Sequence, residues 1–133
     1  MAAWRKRALD LFPELRQDLS IKDYSVYQLF FDLVPRVEQA HADGDEEFLK
    51  RAYGFAAWCA SQKTEGLWNA AGVAFYEHVF DRWNQRNLVV PWLSPQMVAD
   101  HWSLWEMRLN VSQLEELRGL FANRRERKYL ECA

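Results

Sequence analysis

Cysteine, glycine and proline are all scarce in this chain: its 133 residues hold two, five and four of them. Two thiols cannot staple a disulfide scaffold, and a chain of this length buries roughly two-thirds of its unfolded surface without one. Cys59 and Cys132 are far apart and neither has a C-x-x-C partner. Both are read as free thiols in a reducing compartment, with a cytoplasmic location expected. So few glycines and prolines exclude collagen-like and low-complexity chains. The glycines, at positions 44, 54, 66, 72 and 119, form neither Gly-x-Gly-x-x-Gly nor a Walker loop, and there is no Gly-x-Ser-x-Gly elbow. Nucleotide-using and serine-hydrolase chemistry therefore have no anchor, and no cofactor is expected.

An excess of one charge is missing too. The chain has 17 Lys+Arg against 19 Asp+Glu, a net charge of -2. That removes the electrostatic footprint of a nucleic-acid-binding domain. The apolar run from Gly66 to Tyr76 is 11 residues long and contains Asn69, whereas a bilayer span needs about 20. No membrane segment is expected. After the basic start Trp4-Arg5-Lys6-Arg7, Asp10 and Glu14 fall where an export signal requires apolar residues. No internal repeat is visible.

What the chain does have is helical periodicity. Trp4, Ala8, Leu11, Leu15 and Leu19 recur at near-helical spacing, with a break expected at Phe12 and Pro13 opening a short helix. A second helix is read over Asp23 to Ala42, capped by Ser25 and Gln28 and kinked by Pro35. A third follows over Asp45 to Ser61, with Asp43 and Glu46 as its capping box and a stripe of Phe48, Ala52, Phe55 and Cys59, widened by Leu49, Tyr53 and Ala56. A fourth, Gly66 to Asn84, is apolar nearly all round and is expected at the centre. Leu88 to Trp92 reads as an extended link. Ser94-Pro95 starts a fifth helix with Val98, Trp102, Trp105 and Leu109 on its apolar stripe, and Ser112 with Glu115 caps a sixth. The expected fold is all-α: a single-domain orthogonal bundle of five to six helices with a central apolar helix, an N-terminal extension over 1–12 and a basic tail over 124–133 that frays. Arg124, Arg125, Arg127 and Lys128 in that tail suit a helix C-terminus.

Three groups of residues could carry function. On the fourth helix, Glu77, His78 and Asp81 continue the face of Ala70, Ala71 and Ala74. A carboxylate and an imidazole at a tightly packed helix crossing would suit acid–base chemistry, or a structural network with an arginine. His78, His101 and Asp81 are a weaker metal set, because no local chelating motif supports them. One Glu38-x-x-His41 unit lacks the second that a di-iron bundle needs. Seven tryptophans exceed what a small core accommodates, so Trp68, Tyr76, Trp83 and Trp92 are candidates for a partner surface or an aromatic-lined ligand pocket.

The stretches Val73-Ala74-Phe75-Tyr76-Glu77-His78 and Pro91-Trp92-Leu93-Ser94-Pro95, the opening Leu11-Phe12-Pro13-Glu14-Leu15 and the capped helix at Ser112 together resemble a family of small bacterial helical proteins of unknown function. The resemblance covers most of the chain. It implies a bacterial source and a stand-alone helical domain, and it carries no catalytic residue. Fold-level analogy adds toxin-neutralising or adaptor roles. The leading expectation is thus a non-catalytic module that binds a protein partner, or a second copy of itself, with no nucleic acid and no membrane. The alternatives are an enzyme or metal site at Glu77, His78 and Asp81, and a small-ligand binder.

Overall fold

A computed structural model of the chain describes residues 1–129; Cys132 and the last residues of the basic tail lie outside that range. Eight α-helices and no strand occur among the described residues, so the all-α class holds. The helices are α1 (Ala3–Leu11), α2 (Arg16–Leu19), α3 (Val26–Asp43), α4 (Glu46–Ala60), α5 (Glu65–Ala70), α6 (Arg86–Val89), α7 (Pro95–Glu106) and α8 (Val111–Asn123). The count exceeds the expected five to six because α2 and α6 are single turns between bends.

The segment read as an N-terminal extension is built into the body. Ala8 and Phe12 are fully buried, and α1 packs on α4. Phe12 leaves the helical region (φ -129°, ψ 65°), and Pro13 opens a 3-10 turn that leads into α2. The Arg5 guanidinium donates to the carbonyls of Leu19 and Tyr24, which ties α1 to the chain beyond α2.

Helix α3 starts on the expected capping box: Ser25 Oγ accepts the Gln28 N–H, and the Gln28 side chain accepts the Ser25 N–H. It runs through Pro35 and ends at Gly44, whose φ of 69° only glycine adopts without strain. Because α3 continues through Asp43, the cap of α4 falls to Asp45, which accepts the Phe48 N–H, and not to Asp43. At the other end, α8 is capped by Asn110 and Gln113 rather than by Ser112 and Glu115. Asn caps as well as Ser, and a Gln at the third position reciprocates.

Two stretches depart more deeply from expectation. The helix anticipated over 66–84 is not continuous. After α5 the chain widens into a π-turn (Ala71–Phe75), tightens into a 3-10 turn (Tyr76–His78) and leaves helical geometry at Phe75 (φ -124°, ψ -70°). Tertiary bonding explains the change. Trp105, only 1% exposed, donates its indole N–H to the Tyr76 carbonyl at 2.8 Å, a bond from outside the helical ladder. The middle of the segment is still central: Ala70, Ala71, Ala74 and Phe75 are fully buried, and residues 71–75 pack on both α3 and α4. The second departure is Leu88 to Trp92, which is helical: α6 followed by a 3-10 turn over Val90–Trp92. Val89, Val90 and Trp92 are buried, so packing overrides β-branched propensity here.

Aromatic rings knit the core. Phe30 meets Phe55 and Phe75, and Phe75 meets Tyr53 edge-on at 5.6 Å. Tyr53 stacks on Trp92 with centroids 5.4 Å apart and planes 10° from parallel. Trp105 stacks on Phe121 of α8 in the same way. The phenol of Tyr53 is 2.7 Å from Nε2 of the buried His41. On α7 the buried face is Met97, His101 and Trp105, so of the expected stripe Trp105 is buried while Val98, Trp102 and Leu109 are half-buried. Cys59 is fully buried, which pushes its thiol up to about 12 and makes it a core residue.

The residues expected to form a solvated helix end, Arg124 to Lys128, instead form an extended strap after α8. Arg124 donates to the carbonyls of Val90 and Leu93, and the Lys128 N–H donates to the Pro91 carbonyl at 2.7 Å. The Lys128 ammonium pairs with Glu46.

Two stability measurements follow from this core. Trp105→Phe removes the indole donor and part of a buried ring, so urea denaturation should show a loss of about 2–3 kcal/mol. Burial, with Lys128 adding repulsion, lowers the pKa of His41 to about 4, and burial also lowers that of His101. The unfolded chain protonates His41 near pH 6.5, whereas the folded chain resists until about pH 4. Stability is therefore full above that window and falls as pH drops through it. Between about pH 7 and pH 5 the loss from His41 alone should be on the order of 2 kcal/mol, and His41→Gln should flatten the slope.

Candidate functional site

Where the irregular segment ends, four polar side chains meet. His78 Nδ1 is 2.8 Å from Asp81 Oδ2, and its Nε2 is 3.6 Å from Glu77 Oε2. Arg108, just past α7, reaches Asp81 Oδ1 at 2.8 Å and Glu77 Oε2 at 3.7 Å. The three residues singled out in the sequence do come together, with Arg108 as the member that sequence reasoning missed. Their setting differs from expectation. Once the chain leaves helical geometry at Phe75, Glu77 and His78 no longer continue the alanine face, and the side chains of both are 22% exposed. The cluster is a rim network, not a sealed helix crossing. A His–Asp pair fixes an imidazole for proton transfer, but here the second nitrogen faces a carboxylate and the arginine engages both acids.

His101 is not part of that network. It sits on the buried face of α7, with Nδ1 2.8 Å from the Met97 carbonyl and its ring stacked on Tyr76 at 4.2 Å. Among the described residues no group of three or more His, Cys, Asp or Glu side chains is arranged to hold a metal ion. The set His78, His101 and Asp81 therefore does not assemble. His41 of the Glu38-x-x-His41 unit is taken by Tyr53, while Glu38 pairs with Arg82.

The four aromatic candidates separate. Trp68 is 44% exposed. Trp83 is half-buried under the Arg86 guanidinium, 4.8 Å above its ring. Tyr76 and Trp92 are buried away from the outer surface, and both line one cavity of about 510 Å³.

That cavity lies between α4, the start of α7 and the strap. From α4 come Lys50, Gly54, Ala57 and Ser61 at helical spacing, with Tyr53 beside them. Gly54 is what opens this wall: a methyl group added there would meet no atom within 4 Å. A glycine inside a helix costs about 1 kcal/mol relative to alanine, and here its vacancy is the cavity itself. Tyr53, Tyr76 and Trp92 supply aromatic surface. Helix α7 starts at the cavity, where Ser94 Oγ accepts the Met97 N–H at 3.1 Å and Gln96 lines the wall. The positive end of its dipole therefore faces inward. The strap closes the far side with Arg127, Lys128 and Tyr129. Lys128 is committed to Glu46, whose carboxyl is held below its usual range by that contact. Lys50 and Arg127 make no ion pair among the described residues. Among the described residues no carboxylate lines the cavity. The sequence held one legible sign of this wall, a glycine and an alanine between Lys50 and Ser61 on one face of a long helix.

No curated protein and no solved structure matches the chain. A family model does, and it spans residues 5–110. The inner walls of the cavity, from Lys50 to Met97, fall within that span, while α8 and the strap lie beyond it. The chain therefore belongs to the family described as Domain of unknown function (DUF7674).

Proposed function

We propose that the protein is a non-catalytic binding module, and that its recognition site is the cavity between α4, α7 and the strap. Its ligand is a small organic anion carrying an aromatic ring. The observation that carries this reading is the lining: Lys50, Arg127 and Lys128 with a helix N-terminus, no carboxylate among the described residues, and a surface of Tyr53, Tyr76 and Trp92. Burying an anion requires compensating donors and cations, and a flat aromatic wall favours a stacked ring over an aliphatic chain. A volume of about 510 Å³ suits a compact organic molecule.

The positions of the aromatics support a cavity over an outer docking face. Of Trp68, Tyr76, Trp83 and Trp92, only Trp68 is strongly exposed, so most of the aromatic excess faces the core and the cavity. The rim network of Glu77, His78, Asp81 and Arg108 is satisfied within itself.

Calorimetric titration with 2-naphthoate and 2-naphthyl phosphate, against neutral 2-naphthol, tests the reading. The anions should bind, the phosphate more tightly, and 2-naphthol at least about tenfold more weakly. Gly54→Leu projects into open space, so it should keep or raise the melting temperature while abolishing binding. Absence of saturable heat with either anion, or unaltered binding in Gly54→Leu, would overturn it.

A further inference from the structure

A second cavity, of about 400 Å³, lies on the other side of Tyr76 and has the opposite electrical character. It is lined by Trp68 and Asn69 of α5, Gly72 of the π-turn, and Asp100, His101 and Ser103 of α7. Among the described residues no cation lines it, and Asp100 is its one formal charge. Ala60, the last residue of α4, borders it too.

His101 supplies the decisive atom. Its Nδ1 is 2.8 Å from the Met97 carbonyl. A carbonyl only accepts, so Nδ1 carries the proton and Nε2 presents a bare lone pair. The edge bearing that lone pair lies over Gly72: a methyl group there would sit 3.6 Å from Cδ2 and 3.8 Å from Nε2. Since Gly72 lines the cavity, a larger residue at this position would cover the nitrogen. No protein donor engages Nε2 among the described residues. The ring itself is held in place by its stack on Tyr76. Beside it, Trp68 offers an indole that is 44% exposed.

We infer that this cavity is a binding site for a small protonated amine, whose ammonium donates to His101 Nε2 and pairs with Asp100 while its organic part covers the Trp68 ring. An ammonium has three donors and no acceptor, and this wall offers acceptors and a π-face without a competing cation. Burial holds the His101 imidazole below its ordinary pKa, which keeps Nε2 an acceptor at neutral pH. The site is separate from the anion cavity and does not depend on it.

The test is a titration of the full chain with benzylammonium chloride, followed through the imidazole ¹⁵N resonances of His101. The expected result is a saturable shift of Nε2 in the direction of an accepted hydrogen bond, at millimolar ligand or below. Trp68→Ala and Asp100→Asn, both at solvent-exposed positions, should each weaken binding about tenfold without unfolding the protein. Benzyl alcohol should bind roughly tenfold more weakly, and benzoate should leave Nε2 unmoved. Gly54→Leu, which fills the other cavity, should leave benzylammonium binding intact. An unshifted Nε2, affinity unaffected by either surface substitution, or equal binding of benzyl alcohol would each overturn the inference.

Discussion

Trp105 donates its indole N–H to the Tyr76 carbonyl from inside the core, at the point where the chain passes from a π-turn into a 3-10 turn. That bond comes from α7, 29 residues further along the chain, and it stabilises a carbonyl that a regular α-helix would have kept for itself. With the ladder released, Phe75 and Tyr76 turn in different directions. Phe75 enters the cluster of Phe30 and Tyr53, while Tyr76 lies between His101 and the anion cavity. π-turns of this kind recur at functional sites because the extra residue reorients side chains that a regular helix would hold in register.

Tyr76 lines the first cavity and stacks on His101, which lines the second. Among the described residues one cavity has cations, an inward helix N-terminus and no carboxylate; the other has a carboxylate, a bare imidazole nitrogen and no cation. Helix α4 contributes to both, with Lys50, Gly54 and Ala57 on the first and Ala60 on the second, and its C-cap Ser61 also lines the first. The opposite polarities thus arise from side chains: Lys50, Arg127 and Lys128 on the first, Asp100 on the second. The outer wall of the first cavity is added by the strap, which is fastened by Arg124 and Lys128 to carbonyls of the Val90–Trp92 turn and by Lys128 to Glu46. The family match covers residues 5–110, and the strap lies outside that span.

The parts of the fold that could be read from the sequence are those governed by neighbours in the chain. The Ser25–Gln28 box, the Ser94-Pro95 start and the Phe12-Pro13 break are local hydrogen-bond and steric effects, and they appear where expected. The buried stripe of α4 follows from 3.6-residue periodicity and is also observed. Misjudged caps were close contests. Asp43 lost to Asp45 because Gly44 let α3 run one turn-end further, and Ser112 lost to Asn110 because Gln113 stood three residues on. Among the polar candidates, the proximity of Glu77, His78 and Asp81 was legible from spacing, but their exposure and their partner Arg108 were not, since both depend on where α7 ends relative to a bend.

Taken alone, the sequence determined that the chain is all-helical, where most helices begin, and which residues prefer burial, because capping, periodicity and burial preference act over a few residues. Only the tertiary structure decided that the central segment abandons α-geometry, that Tyr76 and Trp92 line a cavity, and that Arg127 and Lys50 line the same one. Those outcomes depend on a hydrogen bond and on cavity walls formed by residues dozens of positions apart, and no local pattern encodes such distances.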